Sequence, residues 1–390
     1  MTALSAALVG SVSYATSNDA LLDLLVKKGV LTDSEATAVA AELREENKGV
    51  TFSSKGKETV KLRFNGRMHF QYDSLDSEDN GRDVASTNHF YFRRLRLGAK
   101  ATHENGLLAE TGVDVAENDL AIAKAVAGYE FSEAFAGMVG YQKVPFGFQE
   151  TTSSSKIKTI ERSAANRFLA DDIDFAGRHT GLHAKGNLGG GFSYAAAIVN
   201  GAQGEGSRLL GTAQASNDLA AFGRVQWSGN DLTLGVDAGN QSNNDVVGQD
   251  VTAFTAYANY KFEGFDILGE YFSADMDDQE DAEGYSLRVA YKLDKFEPVF
   301  RYSHLKNDTF VIDADELIRR APEGDRPGDL DNLRDATGDE VEIDSYYFGL
   351  NYYYNKAVSL MAGYEMAETG SDDGDEVEID GLRARLQILW

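Results

Sequence analysis

The stretch LRARLQILW, Leu382 to Trp390, decides how the rest of the chain is read. Counting back from Trp390 in steps of two gives Ile388, Leu386, Ala384 and Leu382, all apolar. Between them stand Leu389, Gln387, Arg385 and Arg383, three of the four polar. Successive side chains of a strand point to opposite faces, so this strand has one greasy face and one basic face. An ordinary half-buried edge strand explains the alternation but not the aromatic on which the sequence stops.

Working back toward the N-terminus, the same period of two recurs from Val60 onward. The clearest case puts Leu62, Phe64, Gly66, Met68, Phe70 and Tyr72 on one face, and Lys61, Arg63, Asn65, Arg67, His69 and Gln71 on the other. Strand candidates begin near residues 60, 88, 106, 118, 134, 178, 191, 217, 230, 251, 265, 282, 295, 341, 357 and 379, sixteen in all. Tight turns at Glu104-Asn105, Ser132-Glu133, Leu188 to Gly190, Ser228 to Asn230, Glu263-Gly264, Asp294-Lys295 and Asn355-Lys356 alternate with long polar stretches. Those stretches lie around 74–87, 145–177, 201–216, 240–250, 274–281, 306–340 and 369–378; only the connection near Glu117 is short where a long one is expected. Short turns on one rim and long loops on the other predict an all-β fold, a sixteen-stranded antiparallel transmembrane β-barrel over residues 60–390. A soluble sandwich has no reason for that alternation of loop lengths. Aromatics such as Tyr346, Phe348, Tyr352, Tyr353 and Tyr354 fit girdles at the two lipid–water interfaces, although strand propensity also enriches them.

Composition agrees. The 390 residues contain no Cys, 4 Pro, 39 Gly, 18 Tyr and 21 Phe. No run of 18 apolar residues is present, which argues against a membrane-spanning helix. The mean hydropathy of −0.36 does not argue against spanning strands, which show lipid only every second side chain. A formal net charge of −26 argues against a nucleic-acid partner.

The start of the chain reads differently. Residues 1–15 resemble a signal-peptide remnant, with the apolar run ALSAALVGSVSYA and no cationic residue before it. Residues 16–50 predict a short amphipathic helical hairpin: Leu21, Leu22, Leu24, Leu25 and Val26 cluster before a break at Gly29, and Thr32 or Asp33 caps a second helix. Its expected place is the periplasm.

If the apolar parity marks lipid, Lys61, Arg63, Arg67 and His69 face the lumen, joined by Arg94, Arg96 and Lys100 from FYFRRLRLGAKAT. Arg93 falls on the lipid parity, where it snorkels at the rim or sits beside a bulge. Lys185, Arg224, Arg288, Lys292, Arg301, Arg383 and Arg385 share the inward parity, as do the acids Glu110 and Asp114. An acidic chain therefore places bases along one wall of its pore and most acid in its outer loops.

A strand that closes on a terminal aromatic, as Leu382 to Trp390 does, resembles the C-terminal signal of bacterial outer-membrane barrels. The segments FRRLRLGAK (Phe92 to Lys100) and GYQKVPFGFQETTSSSKIKTIERS (Gly140 to Ser163) resemble the phosphate-selective porins O and P of Gram-negative bacteria. With the strand plan, the resemblance covers most of residues 60–390. It implies a trimer of sixteen-stranded barrels in the outer membrane, with the third loop folded inward as a constriction and an arginine ladder drawing anions in. Carried over by residue, it makes Arg93, Arg94 and Arg96 ladder positions and Lys156, Lys158 and Arg162 constriction-loop positions. Asp171, Asp172 and Asp174 just after the motif depart from a purely cationic constriction. The implied function is passive passage of small anions such as phosphate, with no cofactor and no catalysis. Lipid and lipopolysaccharide are the other implied partners.

Rival readings are a general or cation-preferring porin governed by the acidic loops, an outer-membrane barrel enzyme, and a structural barrel. His179 and His183, four apart on a strand, lie about 13 Å from each other, too far to share a metal and better read as solvated lumen histidines. His69, His89, His103 and His304 have no recognisable nucleophile motif beside them.

Overall fold

The computed structural model describes residues 50–53, 59–116, 120–201, 218–244, 247–276, 279–307, 341–371, 374 and 376–390. The expected signal remnant and helical hairpin lie outside the described residues, apart from Val50, which opens a strand. The chain divides into two compact units, residues 65–98 with 106–390, and residues 1–64 with 99–105. In the smaller one, β1 (Val50–Ser53) pairs antiparallel with the start of β2 (Thr59–Asp79), Val50 opposite Leu62.

After β2 come β3 (Arg82–His103), β4 (Leu107–Asp114), β5 (Ala121–Ser132), β6 (Phe135–Lys143), β7 (Arg178–Gly189), β8 (Phe192–Asn200) and β9 (Leu219–Gly229). They continue with β10 (Leu232–Asn244), β11 (Gln249–Phe262), β12 (Phe265–Met276), β13 (Gln279–Tyr291) and β14 (Phe296–Asn307). The series ends with β15 (Val341–Tyr353), β16 (Val358–Ser371) and β17 (Glu376–Leu389). From β2 on, each strand pairs with the next, and β17 returns to β2 from Val377↔Asp79 to Leu389↔Arg67. Strands β2 to β17 thus form a closed antiparallel barrel of sixteen strands, each with a neighbour on both sides.

The outer face shows why these sequences alternate. Tyr285, Tyr302 and Tyr346 form one aromatic belt, with ring centroids 5.8 and 5.0 Å apart. Phe265–Tyr291 (4.4 Å) and Phe296–Tyr352 (5.0 Å) belong to the other. Between the belts Leu287, Phe348, Leu350, Leu360 and Leu382 are exposed. Tyr346 and Tyr352 are separated by about 20 Å along β15, near the roughly 25 Å apolar band of membrane barrels.

Beyond the upper belt the polarity turns inside out. Glu342, Glu368 and Glu378 are exposed while Val341, Ile343, Ala367, Val377 and Ile379 are buried. This corrects the loop assignments: most of 74–87, 240–250, 274–281 and 369–378 is strand rather than loop. The strands outlast the apolar band, and their outer residues there meet water, so they read as polar loop. At the longest hairpin β2 and β3 meet in a two-residue turn at Asn80 (φ 50°) and Gly81 (φ 70°), both left-handed, as the primed turns that match strand twist require.

Candidate functional site

The connection from β6 to β7, residues 144–177, folds into the lumen. Its neck is closed by the Val144 N–H donating to the Gly177 carbonyl at 2.9 Å. It contains two single-turn helices, α1 (Phe148–Thr151) and α2 (Ala164–Arg167), and a π-helical turn over Phe168–Asp172. Ser163 starts α2 because its hydroxyl accepts the Asn166 N–H at 3.3 Å. The loop enters the barrel because its apolar side chains find partners there. Phe146 and Phe175 pack edge-on to Phe222 of β9, and Phe168 stacks with Phe272 of β12. Every residue from Thr159 to Ala170 is buried.

Polar clasps then fix the loop to most of the wall. At its first turn the Gly147 N–H donates to Asp237 (2.9 Å), and the Phe148 and Gln149 N–H groups donate to Glu270 (2.5 and 3.2 Å). Arg224 ties this turn to Asp237 through a 2.6 Å ion pair and donates to the Gly147 carbonyl at 3.1 Å. Gly147 has φ 75°, which a side chain would strain. At mid-loop, Arg67 of β2 donates to the Ser153 hydroxyl at 3.1 Å and to that of Ser154. Lys158 pairs with Glu297 (2.5 Å) and Asp266 (3.3 Å), while its carbonyl accepts from Asn351 (2.8 Å). Glu161 pairs with Arg93 (3.2 Å) and Arg385 (3.0 Å), and Arg301 donates to its carbonyl at 2.9 Å.

The far wall is thereby neutralised. Arg224 with Asp237, Arg288 with Asp266, Arg301 with Glu365, and Arg383 with Glu365 and Asp73 are all ion pairs. The near wall is not. Between the loop and the inner faces of β2 to β7 lies a cavity of about 500 Å³ lined by Arg67, Arg94, Arg96, Lys124, Lys143, Arg162 and Arg178. Glu110, Glu150 and Asp171 are the acids lining it, and Thr151 to Ser155 contribute five hydroxyl side chains. Arg96 holds Asp114 at 2.5 Å with Arg94 at 3.8 Å, and Lys124 holds Glu110 at 2.9 Å. Glu150 is shared by Lys143 and by Arg162 at 3.4 Å. Burial alone raises the Glu150 carboxyl, but Lys143 and Arg162 bring it below its ordinary value. Arg178 has no ion-pair partner among the described residues. The cavity is strongly cationic and rich in hydrogen-bond donors.

The structure brings four of the residues picked from sequence into this cavity: Arg67, Arg94, Arg96 and Arg162. Lys158 faces the opposite wall and Lys156 is exposed. Arg63, exposed, and Lys100, half-buried, belong to the smaller unit. Arg93 corrects its expected lipid parity: its side chain is 6% exposed and turned inward onto Glu161. Phe90 and Phe92 are exposed around buried Tyr91, yet the next strongly exposed residue is Leu97, so the alternation slips by one at the Arg pair, as at a bulge. His179 and His183 are buried rather than solvated, and the His179 ring nitrogens lie 3.2 and 3.1 Å from the Asn200 and Ala176 carbonyls.

Lys124, Lys143 and Arg178 were missed from sequence. Parity along β5 marks the first, and Lys143 sits inside the quoted GYQKVPFGF segment; Arg178 shares the parity of outward-facing Leu182, so the alternation along β7 did not mark it. Among the described residues no cluster of three or more His, Cys, Asp or Glu side chains is placed to hold a metal ion.

Compared with known families, the chain matches phosphate-selective porin O and P over residues 62–261, just over half of its length. The chain belongs to that family. The porin is also 25% identical over 368 residues to an uncharacterized protein of Aquifex aeolicus (strain VF5), covering 78% of this chain and 85% of that one. Among solved structures it is similar in fold to the anion-selective porin from Comamonas acidovorans, with a TM-score of 0.60 and 12% identity, covering 85% of this chain and all of that one. The outer membrane channel DcaP of Acinetobacter baumannii is similar at a TM-score of 0.56 and 13% identity, covering 87% and 99% of the two chains. Family and fold are those of a channel of the bacterial outer membrane.

Proposed function

We propose that this porin is a passive channel preferring small anions, with phosphate-like oxyanions bound in transit at the cavity between the inward loop and β2 to β7. The observation carrying this reading is the imbalance of seven basic against three acidic side chains lining that cavity, an excess that Asp114 beside Arg94 and Arg96 reduces but does not cancel, while the opposite wall is paired off. Arginine forks and hydroxyls suit an oxyanion, because several N–H and O–H groups meet its oxygens at once. Contacts spread over several residues pass the ion on, where one tight site would hold it. Arg94, Arg96, Arg67, Arg162, Lys124 and Arg178 carry the attraction in this reading, and Arg93 and Lys158 serve the loop.

The cation-preferring alternative draws on the acids of the long-loop rim. Of those described on β15, β16 and β17, Glu342, Glu368, Glu376 and Glu378 are exposed on the outer face while their neighbours turn inward. This weakens the alternative.

The test is the zero-current potential of the purified porin in a planar bilayer under a KCl gradient, with phosphate then added. Anion selectivity and block of chloride current by phosphate are expected, both weakened by Arg94→Ala with Arg96→Ala. Cation selectivity would overturn the proposal.

The proposal includes a homotrimer. Strands β4, β6 and β8 are only 8, 9 and 9 residues long, and a groove of about 570 Å³ on their outer side is lined almost wholly by apolar residues such as Leu107, Phe131, Val139, Leu182 and Ile198. A second copy seated there covers a wall too low to span the apolar band alone. Cross-linking in native membranes that yields only monomers would exclude this arrangement.

A further inference from the structure

Glu161 lies in the inward loop, away from the cavity, and is 5% exposed. Its Oε1 accepts from Arg93 Nε of β3 at 3.2 Å, from Arg385 Nη2 of β17 at 3.0 Å and from Gln71 Nε2 of β2 at 3.4 Å. The wall arranges these donors by itself. Gln71 Oε1 accepts from Arg385 Nε and Nη2 at 3.0 and 2.8 Å, and Gln71 Nε2 donates to the Tyr91 hydroxyl at 2.8 Å. One donor is left over: Arg385 Nη1 is buried and has no hydrogen-bond partner among the described residues.

Two guanidinium groups and an amide converging on a single carboxylate oxygen, with a further N–H unused, make a recess shaped for an oxyanion. We propose that Arg93, Arg385 and Gln71 form an oxyanion-binding site that the chain fills with its own Glu161 carboxylate, latching the inward loop to the β17–β2–β3 wall. The latch is ion recognition turned inward: the loop presents the same functional group that a free carboxylate or phosphate would. Arg93 is then a positioning residue, not a stepping site for solute. This goes beyond the permeation reading, and its readout is stability, so the two stand or fall separately.

Removing the carboxylate takes away the acceptor on which Arg93, Arg385 and Gln71 converge, which is costly in a buried site, and opens room for a small anion. The test takes full-length Glu161→Ala folded in detergent and follows the loss of its compact, heat-modifiable electrophoretic form against temperature. Sodium formate and inorganic phosphate are titrated against sodium chloride at matched ionic strength. The variant is expected to melt roughly 5–10 °C below wild type, with formate or phosphate restoring the midpoint saturably and chloride not doing so. Wild type does not respond, and Arg93→Gln with Arg385→Gln abolishes the response. A Glu161→Ala variant indifferent to both oxyanions, or a rescue that survives loss of the two arginines, overturns the proposal. Should Glu161→Ala fail to fold, Glu161→Gln keeps the shape and loses only the charge; melting at the wild-type temperature would then overturn it.

Discussion

Arg178 and Arg96 face one cavity under different constraints, and this separates permeation from stability. Arg96 is held by Asp114 at 2.5 Å, whereas Arg178 has no ion-pair partner among the described residues. Arg178→Gln is therefore expected to lower anion preference in bilayer recordings while leaving the melting temperature within about 1 °C, as substitutions that break no contact usually do. Arg96→Gln should lower both. Asp114→Asn removes a competing anion between Arg94 and Arg96, so it should increase block by phosphate; unchanged block would mean that the pair does not meet solute. Glu150 supplies a pH dependence with a definite sign. Its carboxyl is held below its ordinary value in the folded state, so the stability it contributes is complete above the unfolded value and is lost as pH falls through the folded one. Acid titration should loosen the neck of the inward loop, seen as added current noise, and Glu150→Gln should abolish that response. At this scale the sequence was half legible. Arg67, Arg94 and Arg96 followed from parity, but Arg93 did not, since a slip of one residue moves a side chain to the other face and leaves no mark in the composition.

At the level of elements, the inward loop is held at its first turn and at mid-loop by carboxylates belonging to other strands. Asp237 receives the Gly147 N–H and Arg224, and its side chain is fully buried. Asp237→Ala leaves Arg224 uncompensated and the first turn of α1 unheld, and about 3–5 kcal/mol of destabilisation is expected from a broken buried pair. Denaturant unfolding in detergent gives that number, and a loss under about 1 kcal/mol would show that the clasp is dispensable. The β2–β3 hairpin is the opposite case, a local device. Asn80 and Gly81 both take left-handed backbone, so Gly81→Val should fray the tip and expose it to proteolysis while selectivity stays as in wild type. The Asn-Gly pair was a hairpin signal in plain view. It was outweighed by the polar run around it, which looked like loop because the outer face there meets water.

For the molecule as a whole, closure is the decisive event. β17 pairs with β2, and beyond the last register pair the Gly66 N–H donates to the Trp390 carbonyl at 2.8 Å, while the Trp390 N–H donates to the Gly66 carbonyl at 3.2 Å. Deleting Trp390 removes both bonds and the ring that covers Gly66. The folded fraction recovered from urea into detergent should fall several-fold, with a normal conductance for the barrels that do close; unimpaired folding would show that the seam is set by the Val377 to Leu389 register alone. The count of barrel strands, their antiparallel order and, away from the slip at Arg93, the lipid-facing parity could be read from the sequence, because a period of two and the spacing of turns are local properties that pairing only had to accept. Which cations remain available to an anion was decided by the tertiary structure. Arg93, Arg224, Arg288, Arg301, Arg383 and Arg385 look no different in sequence from Arg67 and Arg178. Some of the carboxylates that cancel their charge stand on the neighbouring strand of the same hairpin, as Asp237 does opposite Arg224. Glu161, by contrast, reaches Arg93 and Arg385 only when the loop crosses the barrel, and Asp73 reaches Arg383 only when β17 closes on β2.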